Sequence, residues 1–153
     1  KTASLLSGAC ETGAIRAPAE QRQAMREFGL RLGMAFQIVD DLLDYTGDAT
    51  ITGKPVGADL REHKVTLPLI YALPRLSAQQ RREVSALMDT ETPTDAQIAA
   101  VVEAVTEAGG LEYARERAAS LSTGAEAALE VLAPSPAREA LRASIPFVLD
   151  RRS

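Results

Sequence analysis

A run of apolar residues with helical spacing between Met25 and Leu43 is the strongest constraint on the fold of this chain. Its members recur every three or four positions, and they are Met25, Phe28, Leu32, Phe36, Val39 and Leu43. This spacing places them on one face of an α-helix, whereas a strand would need strict alternation. Pro18 stands where a first helical residue is favoured, and Gly47 stands where a helix commonly ends. We therefore predict one long helix from Pro18 to about Tyr45.

The rest of the chain carries repeated helix-start signals and no convincing strand alternation. The predicted later helices follow a capping residue or a break, and these signals are Thr66 with Pro68, Ser77 with Gln80, Thr94 with Gln97, Gly109-Gly110 before Leu111–Leu132, and Pro134-Ser135-Pro136 before a short helix to about Phe147. Ser and Thr followed three residues later by Gln form capping boxes. The sequence therefore predicts an all-α fold, with charges on outward faces and no clustered polar chemistry after about residue 77.

Composition excludes several classes of protein. The chain has 153 residues, 25% of them charged and 46% hydrophobic, which suits one globular domain and not a disordered chain. A net charge of −4 argues against a nucleic-acid-binding domain, which normally needs a basic face. The single cysteine, Cys10, excludes a disulfide framework and fits a reducing compartment, so we expect a cytoplasmic protein. No apolar run approaches the roughly 18–20 residues of a transmembrane segment.

The opening of the chain predicts that it is part of a longer domain. It begins with Lys1 instead of Met, it has no signal-peptide pattern, and its first residues read as the middle of an apolar helix. We therefore expect a C-terminal portion whose remaining helices lie upstream.

A stripe of carboxylates lies along the C-terminal turns of the predicted long helix. Four of the eight aspartates lie within nine positions, and they are Asp40, Asp41, Asp44 and Asp48. Gln37 lies one helical turn before Asp40 and Asp41, and the resulting stripe is about 100° wide. Because the remaining residues of this segment are apolar, we expect the helix to be buried on most sides. Gly33 falls one turn before Gln37, where we expect it to leave room for a ligand.

The repulsion within this stripe predicts a nearby cation. Two carboxylates about 5–6 Å apart repel by roughly 3 kcal/mol at an effective dielectric constant of about 20. Oxygen-only ligands with one or two carboxylates per ion favour Mg²⁺ that shares phosphate oxygens with a substrate, and Mn²⁺ could substitute for it. The alternative interpretation is a solvated acidic face or a set of local salt bridges.

The chain uses lysine at only three positions, whereas it uses arginine at 14. The three are Lys1, Lys54 and Lys64, and they flank the acidic stripe on both sides. Lysine is a compact charge with three rotatable donors, which suits binding of a phosphate or diphosphate beside a metal. Gly53 and Gly57 give the intervening loop freedom to close over a ligand.

Four segments of this chain together resemble the trans-isoprenyl (polyprenyl) diphosphate synthases. They are K-T at residues 1–2, F-Q-I-V-D-D-L-L-D at residues 36–44, G-K-P-V-G-A-D-L at residues 53–60 and K-V-T-L-P at residues 64–68. The resemblance implies an isoprenoid-synthase-type helical bundle around a central cavity, of which residues 1–153 would be the C-terminal half. Residues 1–76 would carry active-site motifs, and residues 77–153 would be C-terminal packing helices.

The resemblance also implies a reaction and roles for single residues. An allylic diphosphate would ionise with the help of Mg²⁺, isopentenyl diphosphate would attack the carbocation, and loss of a proton would give a longer trans-prenyl diphosphate. The implied metal-binding residues are Asp40, Asp41 and Asp44, with Asp40 as the direct ligand. The implied diphosphate-binding residues are Lys1, Lys54 and Lys64. The implied residues of the reaction centre are Lys1, Thr2 and Gln37, and Asp59 would support the metal ligands from behind.

Two departures from the family pattern leave alternatives open. The family's first aspartate-rich motif has no counterpart in these 153 residues, and His63 stands where the family usually has glycine. The alternatives are a non-catalytic helical subunit of a prenyl synthase and a class I terpene cyclase, although the G-K-P-V-G-A-D segment argues against the cyclase. The family implies a homodimer, and these residues do not predict the length of the product. We expect the chain expressed alone to be inactive and poorly folded or self-associating.

Overall fold

The computed structural model describes residues 1–47 and 56–149, and every regular element in these two ranges is helical. The α-helices are α1 (Thr2–Gly13), α2 (Ala19–Thr46), α3 (Ala58–Arg61), α4 (Leu67–Ala72), α5 (Ala78–Met88), α6 (Asp95–Glu107), α7 (Gly110–Ala128) and α8 (Pro136–Leu149). Two short 3₁₀ turns follow α4 and α7, at Leu73–Arg75 and Leu129–Val131. The predicted all-α class is therefore confirmed. None of these described helices combines the length and the apolar character needed to cross a membrane.

The described chain divides into two compact units, each with its own core. The first unit contains residues 1–39 and 116–149, and the second contains residues 40–47 and 56–115. Helices α2 and α7 each contribute residues to both units. This division concerns packing, and the proposed separation into motifs before residue 76 and packing helices after it stays a prediction.

The core of the first unit is built from α2, α7 and α8. Its buried members are Phe28, Leu32, Ala125, Leu129 and Ile145. Two of these residues, Phe28 and Leu32, belong to the apolar run that predicted α2. The small side chain of Ala125 lets neighbouring helices approach closely, because little volume separates their backbones.

The core of the second unit forms where α4 and α5 pack against α6. Its buried residues include Leu60 from α3, Leu69 from α4, Val84 and Leu87 from α5, and Ile98, Val101 and Val105 from α6. The short helix α3 is thus attached to this core by a side chain that is fully buried. That attachment positions the residues described below.

Most of the predicted helix ends agree with the structure. Helix α2 begins and ends within one residue of the prediction, and both capping boxes are present at Ser77 and Thr94. The predicted helix Leu111–Leu132 becomes α7 followed by the 3₁₀ turn, so its last residues are not α-helical. Thr66 occupies the capping position of α4, but its hydroxyl makes no bond to the helix backbone.

The apolar residues around the carboxylate stripe are covered to different degrees: Val39 and Leu42 are buried, and Phe36, Ile38 and Leu43 are half-buried. Met34, Gln37 and Asp40 are exposed, and Met34 has 41% of its surface accessible. Other apolar side chains of the first unit are exposed too, with Leu5 at 74% and Ile15 at 61%. Several large apolar side chains are therefore uncovered among the described residues.

Candidate functional site

Asp44 is fixed by the first backbone amides of α3. Its Oδ1 accepts a hydrogen bond from the backbone N–H of Ala58, and its Oδ2 accepts one from the N–H of Asp59, each at 3.0 Å. The first N–H groups of a helix have no acceptor within the helix, and negative charge is favoured at that end. The carboxylate of Asp44 therefore has a defined orientation, set by both of its oxygens.

Burial opposes the negative charge that this arrangement requires. Desolvation raises the pKa of the Asp44 carboxyl above its ordinary value, and the neighbouring charge of Asp59 adds to that increase. The two backbone hydrogen bonds and the charge of Lys64 act in the opposite direction. Burial is the largest of these effects, and it disfavours the charged carboxylate. A cation close to Asp44 would therefore stabilise the charged form.

Lys64 is bound to two carboxylates of the same segment. Its Nζ lies 2.9 Å from Oδ1 of Asp59 and 2.8 Å from Oε2 of Glu62, and these hydrogen bonds raise the pKa of Lys64. Asp59 thus contacts Lys64 through its side chain and Asp44 through its backbone amide. The structure brings Asp44, Asp59 and Lys64 together in the second unit. An anion at Lys64 would have to compete with two existing partners.

Asp40 and Asp41 lie on α2 before Asp44, with Asp40 exposed and Asp41 half-buried. Within residues 1–47 and 56–149, no three acidic, histidine or cysteine side chains converge in a way that could hold a metal ion. The predicted ligands therefore do not form a preassembled cage among the described residues. Lys54 and Asp48 lie outside the described residues.

Thr2 and Gln37 are brought together in the first unit. The hydroxyl of Thr2 donates to Oε1 of Gln37 at 3.5 Å, which joins the start of α1 to α2. Lys1 immediately precedes α1 and is exposed. These are the three residues that the resemblance assigned to the reaction centre, and these roles stay a prediction.

Gly33 lies at a close contact between α1 and α2, not beside an open space as the sequence suggested. A Cβ atom at Gly33 would lie 2.5 Å from Cα of Ala3, and one at Gly29 would lie 2.5 Å from the carbonyl oxygen of Leu6. Both glycines therefore allow α1 and α2 to approach closely. The expectation that Gly33 leaves room for a ligand is wrong, because the space is filled by the backbone of α1.

His63 adopts the backbone conformation that explains why glycine is usual at this position of the family. Its φ is 55°, in the left-handed region that a residue with a Cβ rarely adopts. One ring nitrogen of His63 lies 2.9 Å from the carbonyl oxygen of Thr90. This contact holds the loop after α3 against the segment that leads to α6.

Tyr45 gives the second unit a predicted sensitivity to alkaline pH. Burial raises the pKa of Tyr45 to about 12, and its hydroxyl accepts a hydrogen bond from Thr66. The folded state therefore holds the phenolic proton more tightly than the unfolded state, whose tyrosine pKa is about 10. The contribution of Tyr45 to the free energy of unfolding should be fully present below pH 10 and should be lost as the pH rises toward 12. We expect Tyr45→Phe to remove up to about 2–3 kcal/mol of this decline.

Denaturant titrations of both proteins between pH 9 and pH 12 measure the effect, with Tyr113→Phe at a more exposed ring as the control. Parallel curves for the parent and Tyr45→Phe would contradict the assignment.

Two clusters of charged residues were not predicted from the sequence. In the second unit, Arg61 donates to the carbonyl oxygen of Pro93 and pairs with Asp95. In the first unit, Arg142 pairs with Glu126, Glu130 and Glu139, and Arg138, which is 8% exposed, also pairs with Glu130. The expectation of no clustered polar chemistry after residue 77 is therefore wrong. A pocket of about 550 Å³ adjoins Glu126 and Arg142, but none of the predicted site residues lines it.

The fold and these motifs define a class of isoprenoid-synthase-type helical proteins, and comparison with known proteins identifies the family. The polyprenyl synthetase family model matches residues 1–105, and the chain belongs to this family. It is 40% identical over 152 residues to all-trans-nonaprenyl-diphosphate synthase (geranyl-diphosphate specific) of Rhodobacter capsulatus, covering 99% of this chain and 46% of that protein.

Solved structures give the same result. A decaprenyl diphosphate synthase from Rhodobacter capsulatus superposes with a TM-score of 0.91 at 37% identity, covering 100% of this chain and 48% of that one. A polyprenyl synthase from Caulobacter crescentus, complexed with calcium and isoprenyl diphosphate, gives a TM-score of 0.90 at 35% identity, covering 100% and 47%. The chain thus spans about half the length of the relatives it matches. The resemblance to this family and the all-α synthase fold are confirmed.

Proposed function

We propose that the protein containing this chain is a prenyltransferase that condenses isopentenyl diphosphate with an allylic diphosphate to make a longer trans-prenyl diphosphate. The observation that carries the proposal is the D-D-x-x-D segment of α2, Asp40 to Asp44, in a chain whose family model matches residues 1–105. Relatives at 34–40% identity are named as farnesyl, octaprenyl and nonaprenyl diphosphate synthases, so the similarity does not indicate the product length.

The donor set of the described residues fits Mg²⁺. Asp40, Asp41 and Asp44 offer only carboxylate oxygens, which are the ligands that Mg²⁺ prefers, and Mn²⁺ could replace it. Mg²⁺ usually keeps several waters and shares phosphate oxygens with a substrate, so it would need only one or two of these carboxylates. Asp40 would be the direct ligand, and Asp59 would support Asp44 through its backbone amide. Bound Mg²⁺ would stabilise the negative charge of the departing diphosphate.

The other residues proposed for the reaction would bind and orient the substrates. Lys1 and Lys54 would hold the diphosphate of the allylic substrate, with Lys64 at the edge of that site. Thr2 and Gln37, which are hydrogen-bonded to each other, would line the reaction centre. The carbon–oxygen bond to diphosphate breaks, isopentenyl diphosphate forms the new carbon–carbon bond, and a proton leaves the new chain.

Two further expectations belong to the same proposal. We expect the protein to be a homodimer in the cytoplasm, since the family implies the dimer and the single cysteine fits a reducing compartment. We also expect residues 1–153 alone to be inactive, in keeping with exposed apolar side chains such as Leu5 and Ile15.

The two loop lysines should respond very differently to substitution. Lys54→Ala should weaken binding of the allylic diphosphate by at least about tenfold, because charged hydrogen bonds to phosphate are strong. Lys64→Ala should have a smaller effect, since the charge of Lys64 is already compensated by Asp59 and Glu62.

The measurement, made on the full-length protein that contains this chain, is the KM for farnesyl diphosphate in a Mg²⁺-dependent elongation assay with labelled isopentenyl diphosphate, alongside thermal unfolding. Equal KM values for the parent and Lys54→Ala would count against the lysine's role. Release of a cyclic hydrocarbon would support a terpene cyclase, and no turnover by the parent would support a non-catalytic subunit.

A further inference from the structure

Helix α3 is too short to stabilise itself, although it fixes both oxygens of Asp44. It has four residues, Ala58–Arg61, whereas isolated helices shorter than about 12–15 residues are marginal in water. Its orientation must therefore come from contacts with other elements of the second unit. Whatever holds α3 in place also holds the two N–H groups that bind Asp44.

The last residue of α3 supplies one of these contacts. The Nη1 of Arg61 donates to the carbonyl oxygen of Pro93 at 3.2 Å, and its Nη2 forms an ion pair with Asp95. Pro93 is buried and Asp95 is the first residue of α6. The side chain of Asp95 is 93% exposed, so the ion pair adds little by itself. The bond from the guanidinium to the carbonyl of Pro93 is the stronger contact, because this charged hydrogen bond is part-buried, whereas the ion pair with Asp95 is exposed to solvent.

The first residues of α3 are held against the same helix. Gly57 has a φ of 79°, and a Cβ there would lie 2.3 Å from Cγ2 of Ile98 in α6. Leu60, in the middle of α3, is fully buried. Both ends of α3 are thus placed by the N-terminal part of α6, Gly57 by close contact and Arg61 by its guanidinium.

We infer that Arg61 is a positioning residue for the carboxylate of Asp44. It acts at a distance: the guanidinium anchors the end of α3 to the start of α6, and α3 presents the N–H groups of Ala58 and Asp59 to Asp44. The inference deepens the proposed function and rests on it for the effect on catalysis. Its structural part, the link from Arg61 to the amides, is independent of any activity.

Hydrogen exchange at two amides tests the structural part directly. The first N–H groups of a helix have no acceptor within it, so slow exchange at Ala58 and Asp59 reports their bonds to Asp44. Arg61→Gln should accelerate exchange at both amides by about tenfold relative to the parent, as expected for the loss of a charged hydrogen bond. Asp44→Ala should abolish their protection altogether.

Arg81→Gln provides a matched control in the same unit. Like Arg61, Arg81 donates from its guanidinium to backbone carbonyl oxygens, but its acceptors, Leu76 and Pro74, do not belong to α3 or α6. It should leave the protection at Ala58 and Asp59 unchanged. If Arg61→Gln failed to fold, Asp95→Asn would replace it, because this exposed side chain can lose its charge without opening the core. We expect it to accelerate exchange by about twofold, as for an exposed ion pair.

The catalytic part is tested in the full protein with Mg²⁺, farnesyl diphosphate and isopentenyl diphosphate. Arg61→Gln should lower kcat by about tenfold through misplacement of Asp44, with little change in KM for isopentenyl diphosphate. Arg61→Lys should recover part of the loss, because it keeps the charge but not the fork. Unchanged amide exchange in Arg61→Gln, or equal acceleration in Arg81→Gln, would overturn the inference. Accelerated exchange in Arg61→Gln, together with no turnover by the full-length parent protein, would support the link from Arg61 to Asp44 and refute the proposed function instead.

Discussion

Asp40→Ala in the full-length protein should reduce the rate of prenyl transfer by at least about 100-fold, while the temperature of thermal unfolding stays close to that of the parent. Removal of one preorganised group that stabilises transition-state charge typically costs this much in kcat. Asp40 is exposed on α2, so its truncation leaves no cavity in the core of the second unit. The expected loss is therefore one of chemistry and not of folding.

A second exposed aspartate provides the control for this experiment. Asp89 is exposed at the end of α5, in the same unit as the D-D-x-x-D segment but not part of it. Asp89→Ala should retain parental activity in the same assay, so a shared decrease would indicate a general effect of lost negative charge. Raising Mg²⁺ should partly restore turnover in Asp40→Ala if the carboxylate binds the ion. If Asp40→Ala kept an activity within about threefold of the parent, the assignment of Asp40 as a metal ligand would be wrong.

The sequence was sufficient to predict the helices because their signals are local. The apolar period between Met25 and Leu43 specified α2 almost to the residue, and Ser77 and Thr94 specified the starts of α5 and α6. Capping boxes need only four consecutive residues, so tertiary packing rarely overrides them. The family resemblance followed from segments of the same local kind.

The contacts that fix the candidate site could not be predicted in this way. Arg61 donates a hydrogen bond to Pro93, which is 32 residues away in the chain. The position of Thr66 indicated a helix cap, but its hydroxyl donates a hydrogen bond to the hydroxyl of Tyr45. Such pairs depend on how helices pack, and no periodicity encodes that packing. The one available local signal was His63, since a residue that replaces an expected glycine suggests a left-handed turn.

Gly33 shows how the same residue type supports opposite interpretations. Beside a polar stripe, a glycine predicts either space for a ligand or close contact between helices. The sequence alone cannot separate the two, because the deciding atom belongs to Ala3, thirty residues earlier in the chain. The structure decides for close contact, and this contact can be tested by adding one methyl group.

Gly33→Ala should lower the free energy of unfolding by about 1–3 kcal/mol, as expected when extra volume is forced into a packed contact. The added Cβ would lie 2.5 Å from Cα of Ala3, which is backbone and cannot move without displacing α1. Displacement of α1 would also separate Thr2 from Gln37, so kcat should fall together with stability. Denaturant titration and the elongation assay measure the two effects.

Gly8→Ala is the matched control, because nothing lies within 4 Å of a Cβ at that position of α1. In a helix interior this change should stabilise the protein by about 0.5–1 kcal/mol. A second variant separates the atoms responsible: combining Gly33→Ala with Ala3→Gly removes the methyl group of Ala3 but leaves its Cα, so stability should not recover. Recovery in that double variant, or equal stabilisation by Gly33→Ala and Gly8→Ala, would contradict the claim that the backbone of α1 excludes a side chain at residue 33.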